Sequence, residues 1–507
     1  MKKKQLILNI GANFISIFVS LVISFFVAPY IVENLGKEAY AFVPISNNFV
    51  LYMSILTLAL TSMAGRFVTL RIHKDDLNGA NRYYSTSFFA NLSIAMFWAA
   101  ICIIVVISLD RILNIPAEIF ADVKLLFIFM FASFIVNLAT TTFSLAAYAS
   151  NRLDINSLFV IIGNIARLLT IFVLFLFFKP KIYYVGASIF AFMLILGFLN
   201  WISAKKLMPQ LKISLASVNL TAIKELLGSG IWNSFIQLSN VLLTGLDLVI
   251  ANIVLGSSAA GLLAVAKTAP IALQALIGVV PTAFSPYLTI LYAKETRNLF
   301  IKELLYTLKF TAILTGIPIA AYIALSDPFF KLWVPTTAGP ELTMLSMLTM
   351  ISSVAAFSIM PLFHIFTITN RLKWPSIAIF ITGLSNILIV LVLIKYTNFG
   401  LYAIAGVSSI LEIFRCLIFV PLYSAHCISI KPSILYRPIL KALVYMFLLV
   451  ASSLGIVYLI PVVSWMRLLI DGVIMVIVGI LIGVVFMIKR DERKKLVAPI
   501  LRYFVKD

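Results

Sequence analysis

The feature that most constrains this chain is its division into apolar runs, each long enough to cross roughly 30 Å of hydrocarbon as a helix and separated from the next by a short polar or Pro/Gly-containing connector. About fourteen such runs begin near Asn9, Ala39, Tyr84, Val123, Ser157, Ile182, Leu227, Ala259, Glu303, Glu341, Pro375, Gly400, Ile439 and Ser464. A chain that is 62% hydrophobic and 11% charged, with a mean hydropathy of +1.09, has too little polar surface to face water all round. The expected fold class is therefore an all-α polytopic membrane protein, and the alternating pattern of an outer-membrane barrel is absent.

The net charge of +20 is mostly a topology signal. One alternate set of connectors holds Lys2 to Lys4, Arg66 to Arg82, Lys205 to Lys224, Lys294 to Lys302 and the tail from Lys489. That set carries roughly 26 basic residues against roughly 7 in the other, which places both termini in the cytoplasm and predicts a multi-pass protein of the cell (inner) membrane. The tail Lys489-Arg490, Arg493-Lys494-Lys495 is also suited to anionic lipid. The bilayer is thus the first partner, and the charge gives no reason to invoke nucleic acid. The lysine-led start looks like a signal peptide, but its long apolar run has no small-residue cleavage site and reads as the first span. Cys102, Cys416 and Cys427 are few and sit in apolar context, which points to neither a disulfide framework nor a metal cluster. Connectors no longer than about 20 residues leave no room for an extramembrane catalytic domain, so an enzyme is not expected.

The chain also repeats itself. Asn151-Arg152-Leu153 recurs 219 residues later as Asn370-Arg371-Leu372, and Leu113-Asn114-Ile115-Pro116 aligns at the same offset with Leu332-Trp333-Val334-Pro335. At 220, Asn13 falls on Asn233, Leu35-Gly36 on Leu255-Gly256 and Ala39 on Ala259. Six spans per copy make the copies parallel. The expected domains are an N-lobe (1–210), a C-lobe (211–430), and a final helix pair with a basic tail (431–507).

Polar residues inside the spans carry the functional signal. In the seventh run Asn233, Gln237, Asn240, Thr244 and Asp247 are spaced 4, 3, 4 and 3, which puts them on one helical stripe. The first run has a paler stripe, Asn9, Asn13, Ser16, Ser20 and Ser24. Small polar residues often do no more than hold helices together. Two stripes matching under the duplication favour a cleft-lining role.

Charges are costlier at mid-bilayer and persist where they meet water or a partner. Arg167 lies well inside the fifth span with Asn164 one turn before it, and its repeat-mate is Asn386. Lys267 lies inside the eighth span, and its repeat-mate is Asn47. Asp247 and Lys267 lie at comparable depth, so an ion pair between them is one structural expectation. Glu412 with Arg415, and Arg467 with Asp471, are spaced to pair locally on their own helices. Arg66, Lys309 and His364 lie near span ends, where side chains reach water. A cation-coupled drug exporter needs buried carboxylates in its first lobe, and the body of the first run has none. A guanidinium and an ammonium instead suit a phosphate or pyrophosphate.

The layout of six, six and two spans, the opening helix followed by Pro29, Leu35-Gly36 and Tyr40, and the stretch from Asp247 through Gly256 and Gly261 to Ala266-Lys267 resemble the polysaccharide-flippase branch of the multidrug/oligosaccharidyl-lipid/polysaccharide (MOP) exporter superfamily. The resemblance implies a V-shaped pair of lobes and a Wzx-type flippase. Such a protein moves an undecaprenyl-diphosphate-linked oligosaccharide, an anionic polyprenyl-linked glycan, to the outer face of the inner membrane for O-antigen (lipopolysaccharide), capsule or exopolysaccharide assembly. It also implies alternating access, a cationic cavity that Arg167 and Lys267 would supply, and a polysaccharide polymerase or ligase as partner. Members outside the lipid II branch often have twelve helices, so the extra pair keeps a peptidoglycan lipid II flippase open as an alternative, beside a MATE-type cation-coupled antiporter. No cofactor is implied beyond H⁺ or Na⁺ coupling, for which Asp247 is the candidate. The expected cavity set is Arg167, Lys267, Asp247, Asn47, Asn164, Asn233, Gln237, Asn240, Thr244 and Asn13.

Overall fold

The computed structural model describes residues 3–282, 284–293 and 297–488, and these are nearly all helical, with no strand among the described residues. The basic tail from Lys489 lies outside them, as do Lys294 and the side chain of Asn9. Among the described residues twelve helices are long and apolar enough to cross a membrane, and the pair Pro340–Ala356 and Met360–Ile368, bent by 56°, makes a thirteenth if it is one span. The first of the twelve, Gly11–Ile72, runs for 62 residues. At 1.5 Å per residue that is roughly 90 Å, about three hydrocarbon thicknesses. Gly36 interrupts it with φ 82° and ψ 159°, a conformation that a side chain would oppose. Divided there, the run supplies two crossings, and the count matches the fourteen apolar runs of the sequence.

The spans are α1 (3–35), α2 (37–72), α3 (Leu77–Ile107), α4 (Ala117–Ala149), α5 (Leu153–Phe177), α6 (Tyr183–Leu207), α7 (Leu220–Leu255) and α8 (Ser257–Tyr292), followed by α9 (Arg297–Trp333), α10 (the bent pair), α11 (Lys373–Tyr396), α12 (Leu401–Cys427), α13 (Pro432–Leu459) and α14 (Trp465–Phe486).

The duplication reappears in backbone geometry. Asn151 and Asn370, repeat-mates after α4 and α10, both take positive φ (53° and 55°), the left-handed helix ending that asparagine tolerates. In both copies the next residue's N–H closes the cap at 2.8 Å, from Arg152 to the Ala147 carbonyl and from Arg371 to the Phe366 carbonyl. Gly256 mirrors Gly36 with φ 94°. At the offset of 219 the tight turn Thr141–Phe143 within α4 falls on residues 360–362, directly after the break in α10.

By contact the chain forms two units, Met1–Val265 with Ile379–Leu391, and Ala266–Ala378 with Val392–Asp507. In the first, α7 lies antiparallel against α2 at backbone distance. A Cβ on Gly230 would stand 1.9 Å from the Ala59 carbonyl oxygen, and Ser234 donates to the Ile55 carbonyl at 2.5 Å. Close backbone approach of this kind is how helices associate where lipid offers no hydrophobic drive. The connector before α7 is laid along α3: the Lys212 N–H donates to Asn81 Oδ1 at 2.8 Å, and Ser85 Oγ donates to the Lys212 carbonyl at 3.1 Å.

The second unit packs α13 and α14 on α9. Gly479 and Gly483 abut Ile317 and Ile313, and the buried Tyr445 hydroxyl donates to the Gly479 carbonyl at 2.9 Å. The local ion pairs form as their spacing anticipates, Arg415 with Glu412 and Arg467 with Asp471 (2.8 Å).

Candidate functional site

Around α5 the first unit gathers several of the expected residues. The helix buries Ser157, Gly163, Asn164 and Ile171 and turns Leu158, Ile162, Ile165, Leu169 and Phe172 outward. Ser157, Asn164 and Ile171 share the buried side because 157, 164 and 171 recur at two-turn intervals. Asn164, 3% exposed, donates from Nδ2 to Ser20 Oγ at 2.8 Å and so ties α5 to the stripe of α1. Ser20 in turn donates to the Ser16 carbonyl. One turn beyond Asn164 stands Arg167. Its Nε is buried and has no hydrogen-bond partner. A guanidinium stays charged in any protein environment, so a donor left idle here awaits an acceptor.

The α7 stripe divides into parts. Asn233 is half-buried and donates to Ser62 Oγ of α2 at 3.1 Å, a helix-to-helix contact. Gln237 is half-buried, while Asn240 and Thr244 are exposed, with Thr244 Oγ1 donating to the Asn240 carbonyl at 3.3 Å. Asp247 departs from this line and is 1% exposed. The cause is a π-helical turn, Val241–Gly245, whose wider winding shifts the register of everything after it. The 4-3-4-3 spacing assumed a uniform helix, and a π-bulge leaves no mark in spacing. The same turn exposes carbonyls to partners: Tyr52 of α2 donates its hydroxyl to the Gly245 carbonyl at 2.6 Å and lies within electrostatic reach of Asp247.

Asn13 on α1 and Asn47 on α2 are exposed. Asn386, the repeat-mate of Arg167, belongs by contact to the first unit, where its Nδ2 donates to the Leu243 carbonyl at 2.9 Å. Lys267 belongs to the second unit and is 7% exposed. Both Lys267 and Asp247 have interaction partners in the structure. Among the described residues no group of three or more His, Cys, Asp or Glu side chains is placed to hold a metal.

One polar junction was not foreseen. Asn252, fully buried in a second π-turn (Ala251–Leu255), accepts from the Asn114 N–H at 2.8 Å and donates from Nδ2 to the Asn114 carbonyl at 3.1 Å. Asn114 Nδ2 returns a bond to the Asn252 carbonyl at 2.8 Å. The signal available was the repeat itself: the loop motif carries Asn114 in one copy and Trp333 in the other, an exchange that marks the first as special.

No protein-family model matches the chain. It is 29% identical over 469 residues, 92% of each chain, to an uncharacterized membrane protein, EpsK, of Bacillus subtilis (strain 168). Among solved structures, the lipid II flippase MurJ in an inward closed conformation is similar over 95% of this chain and 98% of that one (TM-score 0.66, 16% identity). An inward-facing MATE-family multidrug resistance transporter of the MOP superfamily is similar over 84% and 94% (TM-score 0.65, 15% identity). A MOP superfamily transporter from Pyrococcus furiosus Vc1 (DSM3638), whose binding pocket has reverse polarity, is similar over 85% and 98% (TM-score 0.62, 18% identity). The chain has the fold of the MOP superfamily transporters.

Proposed function

We propose that the protein is a flippase of the cell membrane that carries a polyprenyl-diphosphate-linked oligosaccharide from the cytoplasmic to the outer face by alternating access, supplying a polymerase or ligase of surface-glycan assembly. The observation that carries this reading is the buried Nε of Arg167, which has no hydrogen-bond partner and stands more than halfway along α5, one turn from the Asn164 that donates to Ser20. A cation costs at least about 2.5 kcal/mol at that depth, and a diphosphate is the ligand whose paired oxygens best match the guanidinium fork. The body of α1 carries no carboxylate, which speaks against a cation-binding drug antiporter. The exposed Asn240 and Thr244 suit sugar hydroxyls, and the prenyl tail stays in lipid.

The test is translocation of a short-chain polyprenyl-diphosphate sugar across proteoliposomes. Arg167→Ala lowers it about 10- to 100-fold while insertion and folding persist, and undiminished transport by a well-folded Arg167→Ala variant refutes the assignment. Lys267→Ala is examined in the same way as a second source of positive charge. Transport insensitive to Asp247→Asn removes Asp247 from proton or Na⁺ coupling.

A second cargo is favoured by one observation. The similarity to the lipid II flippase extends over 95% of this chain, against 84% and 85% for the two other structures. We therefore hold lipid II as the competing cargo. Both carry a diphosphate, so Arg167 serves either, and offering the two lipids to the same proteoliposomes separates them.

A further inference from the structure

Away from Arg167, α4, α5 and α6 enclose a polar cavity of about 170 Å³ in the first unit, lined in part by Asn137, Thr140, Ser144, Asn156, Gly197 and Asn200. Its formation follows from two local features. The tight turn Thr141–Phe143 loosens α4 there, and Gly197 brings α6 so close that a Cβ would sit 2.8 Å from Thr140 Cγ2.

The wall is specific in what it offers. Thr140 and Ser144 spend their protons on the Val136 and Thr141 carbonyls, at 2.7 Å each, so their oxygens are left as acceptors. Asn200 is 6% exposed, and its Oδ1 is buried without a partner. A buried acceptor left unmet keeps the full cost of its lost hydration, so the cavity is built for a guest that brings hydrogen-bond donors. No Asp, Glu, Lys or Arg lines it. An ion entering would lose its water with no countercharge, which argues for a neutral guest.

The duplication shows that the cavity is not imposed by the fold. Advanced by 219, Ser144, Met193, Leu196, Gly197 and Asn200 become Phe363, Glu412, Arg415, Cys416 and Phe419. In the second copy Arg415 pairs with Glu412 and lies 5.4 Å above the Phe363 ring. That copy closes its polar groups on one another and adds bulk. The first has small residues and unmet acceptors.

We propose that this cavity binds a neutral polyhydroxylated guest, a single sugar ring, through the acceptors of Thr140, Ser144 and Asn200. Its size suits a guest of one sugar ring rather than an oligosaccharide. The site deepens the glycan reading above and rests on it for the source of the sugar, whereas the cavity and its chemistry stand without it.

The experiment is saturation-transfer NMR on the full chain in nanodiscs, with the methyl glycosides of glucose, galactose and N-acetylglucosamine as probes. At least one gives saturable transfer that weakens about tenfold in Asn200→Ala and vanishes in Ser144→Phe, which copies the second repeat. Arg167→Ala keeps the signal, and a wild-type chain that binds the sugar saturably but does not translocate the lipid counts against the flippase reading alone. Should Ser144→Phe misfold, the comparison of Asn200→Ala with wild type decides. The proposal is overturned if no probe binds saturably, if Asn200→Ala binds as wild type does, or if ²³Na relaxation depends on Asn200 and sugar transfer does not.

Discussion

Two equivalent helices, α5 in the first repeat and α11 in the second, spend the same positions differently. On α5, Asn164 reaches α1 with an amide donor and Arg167 stands one turn on with an idle Nε. On α11 the mates are Gly383 and Asn386. Gly383 admits the backbone of α7, where a Cβ would lie 2.9 Å from the Ser239 carbonyl oxygen, and Asn386 donates to the carbonyl freed by the π-turn. The second repeat uses its polar residue to fasten two helices. The first fastens them with Asn164 and keeps a charge in reserve. A side chain that merely glued helices would not need to be a guanidinium, so of the two mates Arg167 is the one on which the proposed ligand role rests.

The sharpest way to break this contrast is to remove both mates in turn. Arg167→Ala loses about 10- to 100-fold in transport of a diphosphate-linked lipid, the worth of about 1.5–3 kcal/mol of charge-assisted hydrogen bonding, while Asn386→Ala stays within about twofold. Equal losses measured in proteoliposomes would make both residues structural. Next in size is Gly383→Asn, which gives α11 the residue of α5 and forces α7 away. It lowers stability by about 1–3 kcal/mol, read as a drop in thermal midpoint by tryptophan fluorescence in detergent, and an unchanged midpoint would show that α11 has room to spare. Asn386→Ala costs about 1 kcal/mol in the same assay, since interhelical hydrogen bonds in membranes average about 0.6 kcal/mol and reach about 1.7. The smallest effect is that of Asn164→Ala, about 0.6 kcal/mol, because Ser20 is only half-buried and keeps its bond to Ser16. A larger loss there than at Asn386 inverts the comparison.

Much of this was legible beforehand because its physics is local or repetitive. Apolar run length alone yields the fourteen crossings, with the break at Gly36 falling between the first two expected runs. The Asn151/Asn370 match marked two helix endings that share one backbone shape. Asp247 did not follow from spacing, because the π-turn before it changed the helical phase without changing the residue pattern. The Asn114–Asn252 junction joins residues 138 apart, which local periodicity does not relate.

The amino-acid order by itself determined the solvent, the number of crossings and the twofold construction. Each of these depends on how much apolar length must be hidden from water, and that quantity sums along the chain. Tertiary structure alone decided which polar side chains were satisfied by neighbours and which were left over. Asn386 found a carbonyl for its Nδ2 but no donor for its Oδ1, Arg167 Nε and Asn200 Oδ1 kept no partner, and only the packing of helices distant in sequence sets those outcomes.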